Sequence, residues 1–125
     1  MKIKTLATFL FLLYFSVFPL SAKEISLMTY NVENLFDNKD DIGKDDKAFL
    51  PLSFKKNPYH KGHCKEIEVM KWRNECLYLD WSEEAKAKKI LNITKVISSF
   101  DINGADIIAF QEIENISVLR DLFNA

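Results

Sequence analysis

The sequence predicts an α/β fold built on two parallel strands joined by a helical crossover. Three observations carry this. Ile25-Ser26-Leu27-Met28-Thr29-Tyr30 is a short, mostly apolar run ending at Asn31, and Asp106-Ile107-Ile108-Ala109-Phe110 is a second, ending at Gln111-Glu112. Between them, residues 82–100 carry apolar side chains at helical spacing. A strand–helix–strand crossover makes its strands parallel, so both chain exits fall on one sheet edge, where ligands bind in open α/β sheets. Asn31 and Glu112 are therefore expected to meet although 81 positions separate them in the sequence.

The chain opens with Met1-Lys2-Ile3-Lys4, an apolar stretch from Leu6 to Leu20, and Ser21-Ala22. A basic start, an apolar core and small residues before a charged chain make a secretory signal peptide, so residues 1–22 are expected to be cleaved after Ala22. The apolar run of about 15 residues is shorter than the roughly 20 that span a bilayer. The protein is then exported, periplasmic or secreted, with no stable membrane insertion after cleavage. Loss of Lys2 and Lys4 leaves 15 of the 17 basic residues against all 18 acidic ones, a net charge of −3. Overall charge thus gives a nucleic acid no attraction, and a phosphate-bearing substrate would need a metal or a local basic loop.

Strand one is expected over about residues 24–32. A long, mostly polar insertion follows at about 37–79, with Pro51 and Pro58 as breaks and a helix near Lys65 to Cys76. Its mixed-charge run from Asp37 to Lys47 reads as solvated. Both strands read as buried ones. The crossover helix starts at Asp80 or Ser82, either of which can cap it. Ile90, Ile93, Val96, Ile97 and Phe100 form its apolar stripe, while Lys86, Lys88, Lys89 and Lys95 are expected elsewhere around it, serving solubility. Asn103-Gly104 turns the chain into strand two. A shorter helix begins near Asn115 and buries Val118, Leu119 and Leu122.

Cys64 and Cys76 are the two cysteines, and in an exported chain they are expected to form a disulfide inside the insertion. A zinc site from His60, His63, Cys64 and Cys76 is the competing reading, but adjacent His63-Cys64 suits a tetrahedral site poorly. Chemistry is expected at the strand ends instead. Glu112 is the direct ligand for a hard divalent cation, which takes oxygen donors. Asn31 either supplies an oxygen to that ion or donates a hydrogen bond orienting a phosphate or carboxylate. Glu33, two residues further along an extended chain, points to the same side and is the third candidate.

Thr29-Tyr30-Asn31-Val32-Glu33-Asn34-Leu35 and Ala105 to Asn115 resemble the first two signature segments of the endonuclease/exonuclease/phosphatase family. The resemblance implies a four-layer α/β sandwich, of which residues 23–125 would be the amino-terminal part. It further implies Mg²⁺- or Mn²⁺-dependent cleavage of phosphoester bonds, with Glu112 as the metal carboxylate, Asn31 beside it, and Glu33 where some members carry an assisting Asp. It covers about residues 24–36 and 80–125, not the insertion. Nucleic acid is the first substrate expectation, with Lys55, Lys56, Lys61 and Lys65 as a basic loop. The alternatives are a sphingomyelinase- or phosphoinositide-phosphatase-like enzyme and a non-catalytic exported binding module. Trp72, Tyr78 and Trp81 could serve a lipid surface, though they are expected to pack the insertion onto the sandwich. The family's Gly-Asp-x-Asn and Ser-Asp-His segments do not occur in these residues, and neither histidine matches the family's base. These 125 residues alone are therefore expected to be a fragment that is inactive and not stably folded.

Overall fold

The computed structural model describes residues 23–100 and 104–125; the expected signal peptide and Asn103 lie outside them. Two strands, β1 (Leu27–Leu35) and β2 (Ile107–Ile113), pair in parallel, with Leu27 opposite Ile107 and Asn31 opposite Gln111. Among the described residues four α-helices accompany them: α1 (Pro58–Lys65), α2 (Met70–Tyr78), α3 (Glu83–Phe100) and α4 (Ile116–Phe123). The fold is thus mixed α/β, with α3 as the crossover between parallel strands.

Local chemistry marks the starts of α3, α4 and the strands. Ser82 caps α3, its Oγ accepting from the Ala85 amide at 3.2 Å, whereas Asp80 accepts from the Leu52 amide and ties down the insertion. Asn115 caps α4 by accepting from the amides of Ser117 and Val118. The strands are clamped where they begin. Asp106 accepts from the amide and hydroxyl of Ser26, and these bonds hold its carboxyl below the ordinary carboxylate range.

The core comprises Val32 and Leu35 from β1, Trp81, Ile90 and Ile93, and Val118 and Leu122 from α4. Tyr30 and Phe110 pack against it from the sheet, so α3 and α4 cover one face only. Ile25, Leu27 and Ile107 are exposed. Both strands therefore alternate, contrary to the expectation of buried strands, because a one-face cover hides every second residue.

The α3 stripe is also corrected. Ile90 and Ile93 are buried and Ile97 packs on the core, but Val96 and Phe100 stay about half exposed. Lys86 is buried beside the isoleucines, its ammonium 3.0 Å from Glu83 and 3.1 Å from Asp121. Burial opposes its charge, but these two carboxylates outweigh it and raise its pKa. It links α3 to α4 and is no solubility residue.

The insertion is ordered around two helices where one was expected. Asn57 caps α1 with Pro58 as its first residue, and residues 66–69 separate α1 from α2. Cys64 and Cys76 join the two helices in the expected disulfide. Phe36 stacks on Phe49 at 4.1 Å, and Phe49 meets the Trp81 ring edge-on, which docks the insertion on the core. The Asp37–Lys47 run is not uniformly solvated: Asp37 and Asp46 are buried.

Candidate metal centre

Asn31, the last β1 residue paired before an irregularity in the strand, and Glu112, near the end of β2, come together, so the expectation that strand one stops at about residue 32 is corrected. The Asn31 Nδ2 donates to Glu112 Oε1 at 2.8 Å, while Asn31 Oδ1 accepts from the Glu33 amide at 2.8 Å. The amide is thereby oriented: its oxygen is taken by Glu33 and its nitrogen faces the carboxylate. Of the two roles open to Asn31, this geometry gives it the one that positions Glu112. Both side chains are exposed, so the carboxylate remains open to an ion and to water.

Three non-glycine residues adopt left-handed backbone here: Glu33 at φ 54°, Asn34 at φ 63° and Glu112 at φ 62°. Each costs on the order of 1–3 kcal/mol, a cost that surrounding contacts must hold in place. At Glu112 the turn breaks strand alternation. In a regular strand its side chain would point away from that of Gln111 and hence from Asn31. At Glu33 and Asn34 the turn makes a bulge, since Asn31 pairs with Gln111 but Leu35 pairs with Ile113, leaving two extra residues in β1. The expectation that Glu33 continues an extended chain is thus corrected. It contributes its backbone amide to Asn31, and the strand resumes through Leu35.

Lys89 holds that bulge, and sequence reasoning missed it. Its ammonium donates to the carbonyl of Glu33 and, at 3.3 Å, to that of Asn34, and it lies 5.6 Å from the Trp81 ring centroid. Burial lowers its pKa, against the opposing pull of the Glu33 and Glu112 carboxylates. A groove of about 320 Å³ runs beside the pair, lined by Asn31, Glu33, Lys89, Asn92 and Val96 among others. A signal existed. Lys86, Lys89, Ile90, Ile93 and Ile97 share one face of a 3.6-residue helix, so two lysines continue the buried stripe.

The remaining candidates fall elsewhere. The disulfide uses both sulfurs, so the zinc reading of His60, His63, Cys64 and Cys76 is excluded. His60 is buried and donates through Nε2 to the Cys76 carbonyl at 2.9 Å. His63 lines a larger cleft of about 690 Å³ with Asn34, Lys44, Lys47 and Trp72. Lys55 is not available to a ligand, being 2 % exposed and bonded to the carbonyls of Ala48 and Glu75, whereas Lys56, Lys61 and Lys65 are exposed. Trp81 packs as expected, but Trp72 is 58 % and Tyr78 69 % exposed.

Just past Glu112, Glu114 accepts from the Asp37 amide at 2.8 Å and from Asn115 Nδ2 at 3.2 Å. Burial raises its pKa, and the nearby charges of Asp37, Asp46 and Asp41 add to the effect. No family model, no curated protein and no solved structure matches this chain, so its functional reading rests on this geometry and on the two sequence segments that meet in it.

Proposed function

We propose that this chain carries the metal-ligand part of an exported, divalent-metal-dependent phosphoesterase of the endonuclease/exonuclease/phosphatase type, on the four-layer sandwich of that family, with nucleic acid as substrate. The observation that supports it most is the Asn31–Glu112 hydrogen bond between two parallel strands, just before the β1 bulge and near the carboxyl end of β2. It lies where the two family-like segments come together.

The residues suit a hard cation. Glu112 offers an exposed carboxylate, one oxygen of which is fixed by Asn31. Mg²⁺ or Mn²⁺ held there would neutralise phosphate charge and stabilise the leaving oxygen. The chain's own residues set the direction of that carboxylate. Lys89 holds the bulge carbonyls, the bulge presents the Glu33 amide, that amide fixes Asn31, and Asn31 fixes Glu112. Among the described residues neither histidine joins this centre, so they supply the metal ligand and its orientation but not a general base. Exposed Lys56, Lys61 and Lys65 give the insertion basic groups for a phosphate backbone.

One observation favours a lipid substrate instead: Tyr59, Trp72 and Tyr78 of the insertion are all largely exposed, as membrane-docking aromatics are. The test compares Mg²⁺-dependent hydrolysis of DNA, RNA and sphingomyelin vesicles by the protein purified from its source, alongside Mn²⁺ binding followed by electron paramagnetic resonance. Nucleic-acid hydrolysis, with both activity and Mn²⁺ binding lost in Glu112→Gln, is expected. Hydrolysis confined to vesicles selects the lipid reading. Turnover of none of the three leaves a binding module, and undiminished Mn²⁺ binding by Glu112→Gln refutes the ligand assignment.

A further inference from the structure

A second group of oxygens comes from the loop after β1 and from the residue that follows β2. Asp41 and Asp46, from the loop after β1, and Glu114, just past β2, each bring a carboxylate oxygen within 4.8 Å of the other two. Two oxygens that each sit roughly 2.4 Å from one calcium ion are at most roughly 4.8 Å apart, so this spacing meets the condition that a shared ion sets.

Acidic residues often cluster at surfaces without a ligand, but this group differs in burial and in what is left unpaired. Asp46 is 1 % exposed, and while its Oδ2 accepts from the Asp41 amide at 2.8 Å, its Oδ1 is buried without a hydrogen-bond partner. Glu114 repeats the pattern: Oε2 is bonded to the Asp37 amide and Asn115, and Oε1 is buried and unpartnered. A buried unsatisfied acceptor costs roughly 1–3 kcal/mol, more for a charged group. Two such oxygens in one cluster call for a compensating positive group, an ion or a shared proton. Nor does a side-chain cation compensate them: among the described residues the ion pairs are Lys47–Asp40, Lys71–Glu75, Lys86–Glu83 and Lys86–Asp121, and none reaches the cluster.

We infer that Asp41, Asp46 and Glu114 form a structural calcium site, in which the unpaired Asp46 Oδ1 and Glu114 Oε1 are ligands. The donors are all oxygen, which excludes soft metals. Protein-supplied carboxylates on a loop suit Ca²⁺, which accepts irregular geometry; Mg²⁺ keeps several waters and takes few protein oxygens. The ion would tie the start of the insertion to the end of β2, close to Glu112 but without using it. This inference does not depend on the phosphoesterase reading.

The test is isothermal titration of Ca²⁺ into the chelator-stripped protein, with thermal unfolding in parallel. One Ca²⁺ per chain and a higher melting temperature are expected, and Glu112→Gln should leave both unchanged. Asp46→Asn should weaken Ca²⁺ binding by at least roughly tenfold, the lower end of what even outer-shell changes do. Because Asp46 is buried and its variant could misfold, Asp41→Asn at an exposed position serves as the second variant, with the same weakening expected. No Ca²⁺ binding at millimolar concentration, binding that Asp41→Asn leaves unaltered, or, in Glu112→Gln where the first centre is removed, tighter binding of Mg²⁺ than of Ca²⁺ would each overturn the site.

Discussion

Opening the Cys64–Cys76 disulfide should destabilise the protein by about 3 kcal/mol without disturbing its metal centre. The two cysteines are 12 residues apart. Closing a loop of about a dozen residues removes roughly 9–10 cal/mol/K of entropy from the unfolded chain, or about 3 kcal/mol at 25 °C. Both sulfur-bearing residues are buried, and His60 hydrogen-bonds the Cys76 carbonyl across them, so the folded insertion should keep its arrangement when the bond opens. Domains of this size are stable by only about 5–15 kcal/mol, so the loss is a large fraction of the whole. Urea unfolding followed by circular dichroism, with and without dithiothreitol, measures it directly. The Cys64→Ala/Cys76→Ala protein should lose about 1–2 kcal/mol more, because buried sulfur atoms are removed as well. Mn²⁺ affinity of the folded, reduced protein should stay within about threefold, since neither cysteine supports the chain from Lys89 to Glu112. A reduced protein within about 0.5 kcal/mol of the oxidised one would refute the loop-closure reasoning, and a collapse of Mn²⁺ affinity would refute the independence of insertion and centre.

Further perturbations separate core, charge and site. Leu35→Ala, at a fully buried core position, should cost about 2–5 kcal/mol in urea unfolding. Burial lowers the Lys55 pKa to about 8, against the pull of Asp80. Since this lies below the unfolded value of 10.5, the unfolded chain binds more protons between the two; stability should rise with pH through that window, and the full cost is present below pH 8. Comparing melting temperatures of native protein and Lys55→Met from pH 7 to 10.5 should show this rise in the native protein alone. Lys89→Met keeps the packing on Trp81 but removes the donor to two carbonyls, so it should cost about 1–3 kcal/mol and weaken Mn²⁺ binding. Unchanged Mn²⁺ affinity in that variant would show that the bulge does not position Glu112.

The parallel strands, the crossover helix, the α4 cap and the disulfide could be read in the sequence because each has a local cause: apolar runs, a helical period, an Asn at a helix start, paired cysteines in an exported chain. The meeting of Asn31 with Glu112 followed from topology. Its geometry did not, because the left-handed turns at Glu33 and Glu112 occupy residues that rarely adopt them, and Asn34 alone carries a local signal. Asp46 illustrates a second limit. A run of alternating charges reads as solvated, but Asp46 is buried and lies beside Glu114, 68 positions away in the sequence. Lys86 and Lys89 were expected elsewhere around α3, although the helical period puts both on the face of Ile90 and Ile93.

Paramagnetic broadening by Mn²⁺ shows whether the ion sits on the Asn31–Glu112 pair. The measurement uses isotope-labelled Asp46→Asn protein, in which the second site is weakened, and follows the side-chain amide of Asn31 at substoichiometric Mn²⁺. The account predicts that this resonance and the Glu112 backbone amide broaden first, and that Glu112→Gln abolishes the effect. An Asn31 side-chain amide that stays sharp while Mn²⁺ binds elsewhere would contradict it.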